Sequence, residues 1–186
     1  MKLGRQPFSG NMRYPPDNTA SLAQALWSCE ALELEPAEFQ ARFDVLYATA
    51  EGPATLWQLG GAANDYLRRR PDSIAVPPVL APMLLASAMV DGRIIGLKLL
   101  NRCSSNLETI CSSICHALES KHEGELYGGL CELYNLLRRL PPSTSLPVEA
   151  FVPLLFRLRS SSNPYVRESA EMYQDWLGEF GAARGD

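Results

Sequence analysis

Residues 151–177 read FVPLLFRLRSSSNPYVRESAEMYQDWL. An apolar pattern of helical period is interrupted by Pro153, passes through a short polar break, and resumes as a second amphipathic run opened by Val166 and Arg167. Asn163 is placed to cap a helix whose first residue is Pro164, because asparagine accepts orphan backbone N–H groups and proline has none to leave unpaired at that position. The stretch therefore predicts two helices, Pro147–Arg159 and Pro164–Phe180, folded back on each other across a short connection.

The same reading extends toward the N-terminus. The loop PPSTSLP separates this pair from two further hairpins. One is Val79–Val90 with Arg93–Cys103, turning at Asp91-Gly92; the other is Leu107–Ser120 with Glu125–Leu140, turning at Lys121–Gly124. Before them lie helices expected over Thr19–Leu32, Pro36–Ala50 and Ala54–Arg69, with Glu51-Gly52-Pro53 as a break. Leu22, Ala25, Leu26 and Cys29 form one apolar stripe, and Phe39, Phe43, Leu46 and Tyr47 a second, so each helix must bury a face. Gly60-Gly61 inside the third costs about 1 kcal/mol per glycine relative to alanine, which predicts a bend or a tight helix contact. Only IAVPPVL looks strand-like, and its two prolines demote it. The expected fold is all-α: a short α-solenoid or helical bundle of about nine helices arranged as antiparallel hairpins. It occupies residues 19–181, after an extended arm (1–18) and before a flexible tail (182–186).

Composition narrows the class of function. Of 186 residues 46% are hydrophobic and 20% charged, which is ordinary for a folded domain and too apolar for intrinsic disorder. A formal charge of −4 lacks the electrostatic footprint of a general nucleic-acid binder. The longest apolar run, PPVLAPMLLASAMV, falls short of the ~20 residues that span a bilayer, so membrane insertion is not expected. The N-terminal segment lacks the apolar centre of a secretory signal, and its prolines and glycines oppose the amphipathic helix of a mitochondrial presequence. Five cysteines, an odd number set in helical apolar patterns, fit a reducing compartment, with cytoplasm, nucleus or an organelle matrix all open.

The opening stretch resembles a HEAT repeat. In that family the first helix commonly carries a proline, the turn an Asp or Asn, and the second helix begins Val-Arg followed by a small residue. Pro153, Asn163, Val166, Arg167 and Ala170 stand in those places, and the resemblance implies that Pro153 bends its helix while Ala170 admits a close neighbour. Pro82, Asp91, Arg93 and Gly96 echo the pattern. The middle hairpin, which lacks both the proline and the arginine, looks closer to an armadillo-like unit or a plain antiparallel pair. The resemblance covers residues 77–181. The C-terminal part also looks like the N-terminal helical bundle of transcription elongation factors, with Trp176 near the end of a closing Val-Arg-x-x-Ala helix. Both resemblances imply binding of other proteins through helix surfaces.

Chemistry is sparse. Cys103, Cys111, Cys115, His116 and His122 cluster in sequence, but Cys111 and Cys115 lie at i, i+4 on the stripe of Leu107, Ile114 and Leu118, which predicts core thiols and not zinc ligands. Cys115 and His116 are successive helical residues pointing about 100° apart, which excludes a nucleophile–base pair. No phosphate loop, nucleophile elbow or H-E-x-x-H is present. No catalytic residue, cofactor or metal is therefore expected.

Basic clusters at Arg68–Arg70, Arg138-Arg139 and Arg157 with Arg159 stand at predicted helix C-termini, where the helix dipole favours cations. Repeated at matching ends of stacked helices, they could line one rim and hold an acidic peptide. Tyr165, Tyr173 and Trp176 on the closing helix either cap the core or anchor a partner. Phe8, Met12 and Tyr14 in the arm suit a segment that orders against a partner. The sequence thus predicts a non-enzymatic protein-interaction module, an adaptor, scaffold or complex subunit binding another protein or peptide. The alternative is an accessory subunit of a nucleic-acid machine that uses its arginines.

Overall fold

The computed structural model describes residues 18–141 and 144–182. Phe8, Met12 and Tyr14, with nearly all of the expected arm and tail, lie outside the described residues. Among the described residues the chain is all-helical, with no strand. The elements are α1 (Asn18–Leu26), a 3₁₀ turn (Ala31–Glu33), α2 (Pro36–Ala48), α3 (Pro53–Arg69), α4 (Leu80–Leu85) and α5 (Val90–Cys103). They continue with α6 (Leu107–Glu119), α7 (Glu123–Arg139), α8 (Val148–Leu158) and α9 (Pro164–Ala182).

Helices α3, α5, α7 and α9 pack in succession, forming one row. Behind it α4 packs on α5, α6 on α7 and α8 on α9, while α1 backs α3 and α2 bridges α1 and α3. One apolar core runs from Ala23 to Leu177. At its first end Phe39 stacks on Tyr66 with ring centroids 3.9 Å apart, and the Tyr66 hydroxyl donates to the Leu34 carbonyl at 2.6 Å, so a large polar aromatic is buried with its one donor satisfied.

Three hairpins share a turn that their sequences only partly display. Ser87, Ser120 and Ser161 each accept, through Oγ, the backbone N–H two residues on, from Met89, His122 and Asn163 at 3.1, 3.1 and 3.2 Å. The second helix then starts within a residue, and a small residue follows nine positions after each serine: Gly96, Gly129 and Ala170. A Cβ at Gly96 would lie 2.7 Å from the Leu85 nitrogen and 2.9 Å from the Ala81 oxygen. One at Gly129 would lie 3.1 Å from the Ala117 Cβ, and Ala170 is completely buried. The middle hairpin thus lacks the proline and the arginine but keeps both the serine turn and the close approach.

Some boundaries differ from expectation. Helix α4 is only six residues long, and Asp91-Gly92 belongs to the first turn of α5 instead of forming the hairpin turn. The Ser87 turn makes the reversal earlier. Asp91 then gains from the positive end of the α5 dipole, and Gly92 leaves room for the Ser87 side chain. Helix α1 stops at Leu26, where the chain enters the 3₁₀ turn and the Ser28 hydroxyl accepts the Ala31 N–H. The predicted stripe on α1 is rotated as a result: Ala23 and Leu26 are buried, whereas Leu22, Ala25 and Cys29 are exposed. Gly52 supplies the break before α3 with φ of 91°, in the left-handed region that glycine adopts freely. Gly60-Gly61 is a tight contact: a Cβ on Gly61 would sit 2.4 Å from the Trp27 ring.

Candidate partner-binding surface

Helix α7 buries Gly129, Leu130, Leu133, Leu136 and Leu137, so the remaining arc must face away from the core. On that arc Tyr127, Cys131, Tyr134 and Arg138 follow one another at spacings of 4, 3 and 4 residues, the spacing that lines up one side of a helix. Helix α9 answers with Tyr173 and Trp176. Tyr134 stacks on Trp176 at 5.6 Å with an interplanar angle of 12°, and Tyr173 lies 6.1 Å from Tyr134 and 6.4 Å from Trp176. The Arg138 guanidinium sits 5.6 Å from the Tyr134 ring centre and donates to its hydroxyl at 3.3 Å. Tyr127 and Tyr165 stand at the open end of the same face, 54% and 70% exposed. Interaction with Cys131 raises the Tyr127 phenol above its ordinary value, with burial and Tyr165 adding to the effect, and burial likewise raises the Tyr173 phenol.

The structure thus brings together four residues singled out in the sequence: Arg138, Tyr165, Tyr173 and Trp176. Tyr173 is buried and serves as the floor, while Trp176 is half-buried above it. Tyr127 and Tyr134 escaped the sequence reading, although their spacing with Cys131 and Arg138 was a legible signal.

The other arginines are occupied. Arg157 donates to the Leu118 carbonyl at 2.8 Å and Arg139 to the Asn101 carbonyl, both in the last turns of the neighbouring α6 and α5. Arg70 donates to the Leu34 carbonyl and, at 2.8 Å, to the Tyr66 hydroxyl. Each satisfies a carbonyl that a helix end or turn leaves orphaned. Arg69 pairs with Glu33, and Arg68 lies 3.9 Å from Asp65. Arg159 lies 3.7 Å from Glu171 and 5.9 Å from the exposed Phe156 ring, away from the aromatic face.

Beside the aromatic face, toward α3, a cleft of about 640 Å³ opens between residues 70–76, α5 and α7. Its lining includes Lys98, Asn101, Arg102, Glu132, Asn135 and Arg139. Asn101 donates to both the Glu132 carbonyl (3.1 Å) and its Oε2 (2.7 Å), and Asn135 donates to Oε1 at 3.0 Å. A smaller cavity of about 290 Å³ contains the ion pair of Arg93 Nε with Glu125 Oε1 at 2.6 Å. The Arg93 hydrogen bond, aided by one from Ser120, holds the Glu125 carboxyl below the usual carboxylate range, and Arg93 is raised in return.

Cys111 is buried and Cys115 half-buried, as their stripe required, and burial raises both thiols to about 11. Both thiols are therefore neutral near pH 7. Cys29 and Cys103 are exposed, contrary to the expectation of core placement, because each stands at or beyond a helix end. Among the described residues no helix is long and apolar enough to cross a membrane.

A last apolar feature is a groove of about 470 Å³ between α1 and α2, lined by Leu22, Ala25, Ala41, Val45 and Leu46. Compared with known proteins, the chain matches no family model, no curated protein and no solved structure.

Proposed function

We propose that this chain is a non-enzymatic protein-interaction module built as a HEAT- or armadillo-type stack of helical hairpins, which holds a partner protein on the exposed side of the α7–α9 pair. The carrying observation is the aromatic face of Tyr127, Tyr134, Arg138, Tyr165 and Trp176. Aromatics and arginine are the residue types in which binding energy concentrates, and aromatic surface gathered on one exposed face marks an interaction site. The repeated serine turn and small residue support the repeat reading, since stacked units must meet their neighbours in one register.

The test is site-specific photo-crosslinking of the full chain in native extract. A photoreactive phenylalanine analogue placed at Tyr127 or Tyr165 is expected to give discrete adducts that an analogue at the exposed Glu51 does not. Tyr134→Ala combined with Trp176→Ala is expected to abolish them. The same adducts from all three positions, or none from Tyr127 and Tyr165, would refute the reading.

A further inference from the structure

We propose that the cleft bounded by residues 70–76, α5 and α7 binds an acidic peptide whose anionic and apolar side chains alternate. This rests on the interaction-module reading and names the chemistry of one ligand.

The two sides of the cleft differ. The α3 side contributes Leu67, Pro71, Ile74 and Val76, whereas α5 and α7 contribute Lys98, Arg102 and Arg139. Among the described residues Lys98 makes no hydrogen bond or ion pair. Arg102 has a single long contact, Nε to the Asn64 Oδ1 at 3.5 Å, and Arg139 donates only to the neutral Asn101. None of the three cations has a carboxylate partner. Of the two acids in the lining, Glu132 is buried with each oxygen already accepting from an asparagine amide, and Asp72 is exposed. A chain of formal charge −4 therefore offers here three cations without carboxylate partners.

An anion would complete these donors, and hydrogen bonds to charged groups are the strong ones. The apolar side asks for a different group. An extended peptide sends successive side chains to opposite sides, so alternating acidic and apolar residues present one set to each wall. The volume lies within the about 300–1,000 Å³ typical of ligand clefts. Asp72, with φ of 57°, places a left-handed backbone at the rim, a conformation enriched at ligand clamps.

Fluorescence anisotropy with the full chain and a short labelled peptide of alternating Glu and Leu tests this. Saturable binding is expected, weakened at least about tenfold by Lys98→Ala with Arg102→Ala at unchanged melting temperature, and retained by Lys98→Arg with Arg102→Lys. The matching Lys-Leu peptide is expected not to bind. Bound Glu-Leu peptide is also expected to slow alkylation of Cys103, which lines the cleft, in Cys29→Ser protein; this readout needs no change to the cleft itself. Absence of saturable binding, equal binding by the alanine pair, undiminished Cys103 alkylation, or displacement by inorganic phosphate or a single-stranded DNA oligonucleotide would each overturn the proposal. Peptide binding that survives the alanine pair but is lost with Tyr134→Ala and Trp176→Ala would move the ligand to the aromatic face and leave the interaction-module reading standing. Missing crosslinks at Tyr127 and Tyr165 count against that reading alone.

Discussion

Arg93 fastens three pieces of chain at once: it donates to the Ser87 carbonyl at 2.9 Å and the Ala88 carbonyl at 3.1 Å, and its guanidinium pairs with Glu125 of α7. Removing one partner of a buried pair strands the other charge. Arg93 is 20% exposed, so the cost falls below the full buried-pair range: Glu125→Gln is expected to lose about 2 kcal/mol in urea unfolding. The Glu125 carboxyl has its folded-state value lowered, so its contribution is present above the unfolded carboxylate value near 4.5 and is lost as pH falls through the folded one. The acid limb of the unfolding curve of Glu125→Gln should therefore be shallower than that of the wild type. Thiol chemistry offers a second check. Ellman titration at mildly alkaline pH should label Cys29 first, the exposed Cys103 more slowly because burial raises its thiol, and Cys111 only on unfolding, given its burial and a thiol raised to about 11. The i, i+4 spacing of Cys111 and Cys115 carried that burial in advance. The exposure of Cys103 depended on where α5 ends, and helix ends are set by cap geometry that apolar periodicity does not encode.

At the level of the helices, stability rests on backbone approach at one register. Gly96→Ala should destabilise by about 1–3 kcal/mol, since its Cβ would meet the α4 backbone at 2.7 Å, and this exceeds the gain of about 1 kcal/mol in helix propensity. Gly178→Ala supplies the contrast. Nothing lies within 4 Å of the Cβ it would add on the exposed face of α9, so the propensity gain should appear as a small rise in melting temperature. Opposite signs at two helical glycines separate packing from propensity in one pair of thermal melts. Gly96 and Ala170 were recognisable from the Arg-x-x-small pattern. Gly129 was not, because the middle hairpin carries Leu126 where its neighbours carry arginine, and only the Ser120 turn reveals the shared register. Pro153 stands on the exposed side of α8, where the Glu149 carbonyl it leaves without a partner can be hydrated.

For the molecule as a whole, the row of α3, α5, α7 and α9 determines which charges are free to act. Arg157 caps the neighbouring α6 and Arg70 secures the turn after the 3₁₀ segment, so among the described residues few cations outside the cleft are unengaged. Single-stranded DNA is therefore expected to bind negligibly near physiological ionic strength; tight binding with a steep salt dependence would favour the accessory-subunit alternative. Among the described residues, the number of helices and the approximate spans of all but α1 and α4 were determined by the sequence alone, as were the aromatic residues of the closing helix, because apolar period, proline and asparagine act within a few residues of themselves. Whether Arg157 reaches for a ligand or for the Leu118 carbonyl, and whether Tyr134 meets solvent or Trp176, was decided by tertiary structure. Those outcomes depend on which helix ends and faces come together across some 40 residues of chain, a distance over which local pattern carries no information.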